Sequence, residues 1–218
     1  MSTPAEPTYR KRTGYQAGLL GGFATMAAVL LVMSNMVTHS DIEARQREDL
    51  MASLDQVIPP NLHDNDLLAD TRVVSTDAGP RTVYRAMRDK VVTALAYQIT
   101  GYGYAGAIEI LMGVNDKGEI LGVRVLSHSE TPGLGDQIET AKSNWIFGFN
   151  KLSLDNTPLK DWAVKKDGGR FDQFSGATIT PRGVVKAVKE GLEFFRANKG
   201  QLLAKEVALS TNAAAAGE

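Results

Sequence analysis

The stretch Asp172-Gln173-Phe174-Ser175-Gly176-Ala177-Thr178-Ile179-Thr180-Pro181 joins a turn of small residues to the start of a helix. Thr180 has a side chain suited to the N-cap of that helix, and Pro181 suits its first position, where a missing N–H costs nothing. The segment that follows has apolar residues at spacings of three and four, which predicts an amphipathic helix. These apolar residues are Val184, Val188, Leu192 and Phe195. Asn198-Lys199-Gly200 is a typical stop signal for a helix.

The turn before this helix is also suited to binding an anion. A helix N-terminus exposes backbone N–H groups and the positive end of the helix dipole, and both favour a phosphate. Thr178 offers a hydroxyl at the mouth of the turn. A capped helix without any ligand fits the same residues, so their chemistry alone leaves both interpretations open.

Composition excludes several kinds of redox site. The 218 residues carry a net charge of −1, which gives no global electrostatic case for binding nucleic acid. The chain has no cysteine, so disulfides, thiolate-bound iron–sulfur clusters and thioether-linked haem are excluded. Its three histidines are not spaced as metal ligands, and we expect no metal site. A redox role therefore requires an organic cofactor.

The N-terminal region predicts a membrane anchor. Residues 17–37 contain no charge and are rich in Leu, Val, Met, Ala and Gly, and roughly 20 such residues suffice to cross a bilayer as a helix. A buried helix of a soluble domain and a cleavable signal peptide are the alternatives. Residues 34–37 offer no convincing cleavage site, which favours an uncleaved anchor.

The charges that flank this segment predict its orientation. Arg10, Lys11 and Arg12 precede it, whereas Asp41 and Glu43 follow it before any basic residue. The positive-inside rule then keeps the N-terminus in the cytoplasm and exports the rest, into the periplasm of a Gram-negative cell. We divide the chain into a cytoplasmic N-terminus (1–16), a transmembrane anchor (17–37), a stalk (38–60), an exported domain (61–200) and a flexible tail (201–218).

The exported domain shows mainly strand patterns. We predict strands near residues 72–76, 82–88, 91–100, 107–114, 119–126 and 159–164, and a helix over 138–145. Asn115-Asp116-Lys117-Gly118 is a strong hairpin signal between two of the strands. The glycine-rich residues 101–106 lack the spacing of a dinucleotide fingerprint and predict a loop with aromatic side chains. The aromatic residues 145–149 are interpreted as core.

The spacing Asp172-x-x-Ser175-Gly176-Ala177-Thr178 resembles the flavinylation motif of FMN-binding domains in bacterial respiratory complexes. The resemblance implies that a flavin transferase moves FMN from FAD onto a threonine, through a phosphoester bond. The acceptor here is then Thr178, with Ser175, Gly176 and Ala177 as the small-residue part of the site. Asp172 corresponds to the acid that the transferase recognises.

Glu130-Thr131-Pro132-Gly133-Leu134-Gly135 is similar to the second signature of the same family. The resemblance implies that Glu130, Thr131, Gly133, Leu134 and Gly135 contribute to the flavin site. Thr-Pro-Gly predicts a turn, and glycines allow the backbone to approach a flat ring closely. An ordinary connection between a strand and a helix remains the alternative. The nearby His128 is interpreted as structural.

Over most of its length the chain resembles the G subunits of Rnf-type ion-translocating electron-transport complexes. The resemblance implies an α+β fold, with one N-terminal transmembrane helix and an extracytoplasmic FMN-binding domain built from an antiparallel sheet and packed helices. It implies a single-pass protein of the bacterial inner membrane that carries electrons through covalent FMN and has no complete active site of its own. The expected partners are the other subunits of the complex, a flavin transferase and the lipid bilayer.

Three alternatives stay open on the sequence. The C subunits of sodium-translocating NADH:quinone oxidoreductases share both motifs. A free-standing, membrane-anchored flavoprotein electron acceptor has the same cofactor without the ion-pumping partners. A cofactor-free binding or assembly module uses the motif at Thr178 only as a helix cap.

Overall fold

The computed structural model of the chain describes residues 13–76 and 79–204, and the chain divides into two units, Met1–Asp49 and Leu50–Glu218. Helix α1 runs from Thr13 to Val57. Its segment Thr13–Asn35 has a mean hydropathy of 1.9 and is long and apolar enough to cross a bilayer. The large apolar side chains of this segment are exposed. The predicted basic flank at residues 10–12, and the tail beyond residue 204, lie outside the described residues.

The second unit contains a five-stranded antiparallel sheet in which each strand pairs with the next one in the chain. Its strands are β1 (Thr71–Thr76), β2 (Gly79–Arg88), β3 (Val91–Tyr102), β4 (Ala107–Asn115) and β5 (Ile120–Ser127). All five lie near their predicted positions. The hairpin between β4 and β5 is also confirmed, because Asn115 Oδ1 accepts hydrogen bonds from the N–H groups of Lys117 and Glu119 at 3.0 and 2.9 Å.

Helix α2 (Ile179–Leu202) covers one face of this sheet. Val184, Val188, Leu192 and Phe195 are all buried, which confirms the predicted apolar face. The hydroxyl of Tyr97 in β3 donates a 2.8 Å hydrogen bond to Gly191 O and fixes the helix against the sheet. The predicted stop at residues 198–200 is wrong by two residues. The Asn198 side chain bonds back to Phe194 O within the helix, at 2.9 Å, instead of ending it.

The start of α2 lies directly against the end of β3. A Cβ atom on Gly183 would collide with the backbone carbonyl of Tyr102, and one on Gly101 would lie 3.1 Å from Gly183 O. Side chains at these glycines would therefore separate the two elements. Gly101 and Tyr102 belong to β3, so only residues 103–106 of the predicted aromatic loop leave the sheet. This contact places that loop beside the N-terminus of α2.

The opposite face of the sheet packs against the start of the second unit. Leu54, Val57 and Ile58 are fully buried there. The sheet presents small side chains to them, at Ala86, Ala94 and Ala96. Small residues allow the close approach, and the face is apolar on both sides of the contact.

Two predicted elements are wrong. Residues 138–145 do not form a helix, and residues 159–164 do not form a strand. Ser143 explains the first error, because its hydroxyl donates to Gln137 O and accepts from Trp145 N–H, which satisfies backbone groups without helical bonds. The described loops instead contain short 3₁₀ helices at Pro60–Leu62, Asp136–Ile138, Trp145–Phe149, Leu159–Asp161 and Lys165–Asp167.

Candidate functional site

The small residues before α2 form a tight turn over residues 174–177. Ala177 N–H donates to Phe174 O at 3.2 Å, and Gly176 has a φ of +79°, which favours glycine. Phe174 is buried and packs edge-on against Trp145, with ring centroids 5.1 Å apart. The Trp145 indole also donates to Asp172 O at 2.8 Å. These contacts hold the start of the segment in place while residues 175 and 176 stay exposed.

Helix α2 begins two residues earlier than the sequence predicts. Thr178 is the N-cap residue and Ile179 the first helical residue, so the assignment of Thr180 as N-cap and Pro181 as first position is wrong. Thr180 is fully buried in the first turn, and its hydroxyl donates to Glu130 Oε2. The buried carboxylate offers Thr180 a stronger partner than the free N–H groups of its own helix.

Thr178 is an N-cap threonine whose hydroxyl does not cap its helix. Its side chain makes no capping hydrogen bond and is half-buried. Arg182 N–H makes the first helical hydrogen bond, to Thr178 O at 3.4 Å. The N–H groups of Ile179 and Thr180 come earlier in the chain than this bond. Like those of any first helical turn, they have no acceptor within the helix. The Thr178 hydroxyl therefore lies beside the positive end of the dipole of α2, a helix of 24 residues.

The second motif forms a compact loop between β5 and the first 3₁₀ helix after it. Leu134 and Gly135 both donate their N–H groups to Thr131 O at 3.1 Å. Gly133 has a φ of +79°, and its N–H donates to the buried Asp136 at 2.8 Å. The turn predicted for Thr-Pro-Gly is present. The N–H groups of the loop's last three residues are thus bonded locally.

Glu130, at the start of this loop, is buried and bonded on both oxygens. Oε1 accepts from Ala105 N–H at 2.9 Å, and Oε2 accepts from the Thr180 hydroxyl. Its backbone N–H donates to His128 Nδ1 at 3.0 Å, so the hydrogen of this imidazole is on Nε2, 2.9 Å from Glu139 Oε1. Both ring nitrogens of His128 are thus occupied by structural bonds, which fits its structural interpretation.

The two motifs meet at one cavity of about 320 Å³. Seven of the predicted site residues line it: Glu130, Thr131, Leu134, Gly135, Gly176, Ala177 and Thr178. Tyr104 and Ile179 line it as well, and sequence reasoning missed both as site residues. The aromatic loop signal at residues 101–106 pointed towards Tyr104, but only the contact between β3 and α2 brings it to this cavity. Gly133 and Ser175 shape the two turns from outside the lining.

The cavity has the properties of a site for a flat, partly apolar molecule with an anionic end. Its volume falls within the range of roughly 300–1,000 Å³ of small-molecule pockets. Tyr104, Leu134 and Ile179 are 76%, 45% and 48% exposed at its rim, so they present a cluster of apolar surface to a ligand. Thr178 and the first turn of α2 supply the polar end. The residues therefore fit a flavin mononucleotide, to which they would offer apolar surface for the ring and a helix N-terminus for the phosphate.

Charged residues surround the turn without entering the cavity lining. Asp172 is exposed, and its carboxylate accepts a hydrogen bond from Lys165 at 2.6 Å. Arg182 donates two hydrogen bonds to Asp167, at 2.5 and 2.6 Å. These bonds hold the pKa of Asp167 below its ordinary value and raise the pKa of Arg182. Both pairs fasten the loop before the turn to its surroundings at the protein surface.

The fold and this cavity define a flavoprotein of the FMN-binding domain class, whose family model matches residues 103–193. That match includes every residue of the cavity lining. The G subunit of the ion-translocating oxidoreductase complex of Cereibacter sphaeroides is 52% identical over 187 residues, which cover 85% of each chain. Its counterpart in Stutzerimonas stutzeri is 52% identical over 188 residues, 86% of this chain and 82% of that one.

The chain belongs to the family of ion-translocating oxidoreductase complex G subunits, and the predicted Rnf-type resemblance is confirmed. Among solved structures, NqrC of Shewanella oneidensis is 27% identical with a TM-score of 0.47, over 67% of this chain and 71% of that one. The predicted α+β class, with one apolar N-terminal helix before an antiparallel sheet, is also confirmed. The chain is thus an FMN-binding, electron-transferring protein of a membrane complex family, and one helix of its described residues is apolar and long enough to anchor it in the membrane.

Proposed function

We propose that FMN is joined through its phosphate to the hydroxyl of Thr178, with its ring in the cavity between the two motifs. One observation carries this assignment: Thr178 is the cavity-lining N-cap threonine whose hydroxyl takes no part in capping. Attachment replaces the hydroxyl proton with the FMN phosphorus of FAD, breaks the pyrophosphate bond and releases AMP. Thr178 is an attachment point in this scheme and takes no part in electron transfer.

The protein's own contribution is to hold the cofactor and to set its surroundings. The N–H groups at the start of α2 and the helix dipole stabilise the phosphate charge. Tyr104, Leu134 and Ile179 shield the ring from water, and Gly135 contributes to the same lining. When bound, FMN supplies reversible acceptance and release of electrons, and a covalent link keeps it from being lost.

We further propose that the domain acts as a redox subunit of an Rnf-type complex, with no complete active site of its own. Support comes from the relatives, which are named as subunits of ion-translocating oxidoreductase complexes. Purification of the full chain in mild detergent should recover other membrane subunits with it. Recovery of the flavoprotein alone, from cells that express the whole complex, contradicts this part of the proposal and favours a free-standing electron acceptor.

The proposed attachment is tested by expressing the full chain with and without a bacterial flavin transferase. Peptide mass mapping should find the FMN increment on Thr178 only when the transferase is present. Thr178→Val removes the hydroxyl at nearly constant shape and should abolish the in-gel flavin fluorescence. Ser175→Ala removes an exposed hydroxyl from the same turn and is the matched control, since it should keep the flavin. An increment on Ser175 or Thr180 contradicts the assignment.

We also propose that the domain faces the periplasm, because the charges flanking the anchor predict that orientation. A reporter enzyme that is active only in the periplasm should be active when it is fused after Ala204. This junction lies beyond the end of α2 at Leu202, so the fusion leaves the helix intact. Activity of a cytoplasm-only reporter at the same junction shows that the orientation is reversed.

A further inference from the structure

The carboxylate of Glu130 stands out among the residues of the cavity. The residue is only 6% exposed, and the described part of the chain places no cation within ion-pair distance of it. Its two oxygens are bonded by one backbone N–H, from Ala105, and one hydroxyl, from Thr180. Burying a charged group costs free energy unless the group is paired or hydrogen-bonded. The Glu130 carboxylate therefore depends on both Ala105 and Thr180 as donors.

These bonds connect three segments that are far apart in the chain. Ala105 follows the end of β3, Glu130 opens the second motif, and Thr180 is in the first turn of α2. Each segment also supplies lining to the cavity, through Tyr104, Thr131 and Thr178. The carboxylate is thus the common partner of all three walls.

Two glycines make room for this arrangement. A Cβ atom on Gly103 would collide with Glu130 Oε1, and one on Gly135 would lie 2.7 Å from Glu130 Oε2. The backbone on both sides therefore closes onto the carboxylate at distances that no side chain permits. The packing is specific for a carboxylate or its isostere at this position.

We propose that Glu130 is a positioning residue of the flavin site, which holds the three walls of the cavity together and imposes a negative charge beside the redox group. The inference rests on the proposed function for its redox part only. Glu130 acts through Ala105 and Thr180, which carry the neighbouring Tyr104 and Thr178 into place. A negative charge at the cavity opposes the arrival of an electron, so it lowers the reduction potential of the group bound there.

The charge is tested by Glu130→Gln in the full-length, flavinylated chain. Glutamine keeps an acceptor for Ala105 N–H and can donate its amide to the Thr180 hydroxyl, so the walls stay joined while the charge is removed. We expect the ratio of reduced to oxidised flavin at a fixed potential to rise about tenfold, which is about 59 mV for one electron. The matched control is Glu109→Gln, a second glutamate that accepts from a threonine hydroxyl, Thr100, at an exposed site. This control should leave the potential within error.

The connection between walls is tested by Thr180→Val, with Thr180→Ser as the conservative rescue. Loss of the hydroxyl leaves Glu130 Oε2 without its donor, and we expect the three segments to loosen. In protein made without the transferase, hydrogen exchange of the Ala105 amide should accelerate at least fivefold. In flavinylated protein, iodide should quench the flavin fluorescence at least twice as strongly. Thr180→Ser should restore both values.

The outcomes separate the two proposals. If the wild-type chain never acquires flavin, the proposed function fails, and the exchange of Ala105 still decides whether Glu130 joins the walls. Unchanged exchange in Thr180→Val overturns the inference. Faster exchange together with an unchanged potential in Glu130→Gln and unchanged quenching in Thr180→Val also overturns it, because the role is then structural only.

Discussion

The two loops that meet at the cavity, residues 174–178 and 130–135, each contain a left-handed glycine but differ in the bonding of their polar groups. Each has a glycine with a φ of +79°, Gly176 in the first loop and Gly133 in the second. In the first loop the exposed turn leads to Thr178, whose hydroxyl makes no capping bond. In the second loop three backbone N–H groups bond locally, and the Glu130 carboxylate bonds to other parts of the domain.

This difference separates two tasks that a tethered cofactor requires. Under the proposed attachment, the first loop presents Thr178 to a transferase, so it needs an accessible hydroxyl on a fixed backbone. In the same proposal the second loop forms a wall of the flavin site, so it needs rigidity. Changes in the first loop should therefore affect attachment, and changes in the second should affect stability and redox properties.

The largest effect beyond Thr178 itself is expected at Asp172. Asp172→Ala should slow FMN attachment by the transferase roughly tenfold or more, because loss of one hydrogen bond to a charged group costs about 1.5–3 kcal/mol. Initial rates of flavin incorporation into the purified full chain measure this effect. Lys165→Ala removes the partner of Asp172 within the chain and is the control, since it frees the carboxylate and should not slow attachment. Equal slowing in both variants would falsify direct recognition of Asp172.

In the second loop, Gly135→Ala should reduce stability without abolishing attachment. The added Cβ meets Glu130 at 2.7 and 2.9 Å, and overpacking of this kind costs about 1–3 kcal/mol. Gly148→Ala is the matched control, because a Cβ atom there meets nothing within 4 Å. The free energies of unfolding of the two variants, measured with denaturant, should differ by most of that amount. Equal midpoints show that Glu130 is not tightly enclosed.

Gly133→Val should have a smaller effect on stability and a measurable effect on the flavin. The Cβ atom has free space, so the cost comes from the backbone alone, about 1–2 kcal/mol for the left-handed region. In-gel fluorescence should persist, whereas the reduction potential should shift by about 40 mV for each kcal/mol of differential binding of the two redox states. Asparagine tolerates the left-handed region, so Gly133→Asn should keep a stability and a reduction potential close to those of the wild type. A wild-type potential in Gly133→Val shows that this turn is only a connector.

The smallest effect concerns the surface pair beside the first loop. The hydrogen bonds from Arg182 lower the pKa of Asp167, so the pair stabilises the folded state above the ordinary aspartate pKa of about 3.9. That contribution is lost as the pH falls through the lower pKa of the folded state. Asp167→Asn should therefore flatten the decline of the melting temperature below pH 4, by a small amount because both groups are exposed. A decline as steep as that of wild type contradicts this assignment.

Local patterns in the sequence determined much of this protein. The apolar span, the hairpin at residues 115–118 and the buried face of α2 follow from periodicity and turn chemistry, which involve neighbours only. The two motifs also identified most of the cavity lining, through their resemblance to a family that includes a relative 52% identical to this chain. These features are readable because each depends on residues within a few positions of one another.

Tertiary structure alone decided where α2 begins and which residues complete the cavity. Thr180 is a good N-cap by composition, but a carboxylate fifty positions earlier, at Glu130, takes its hydroxyl and buries it. Helix α2 instead starts at Ile179 with Thr178 as its N-cap residue, and the Thr178 hydroxyl makes no capping bond. Tyr104 reaches the same place only because glycines at 101 and 183 let β3 touch α2. Such contacts depend on how segments far apart in the chain pack together. A local pattern in a single sequence does not encode which distant segments come into contact.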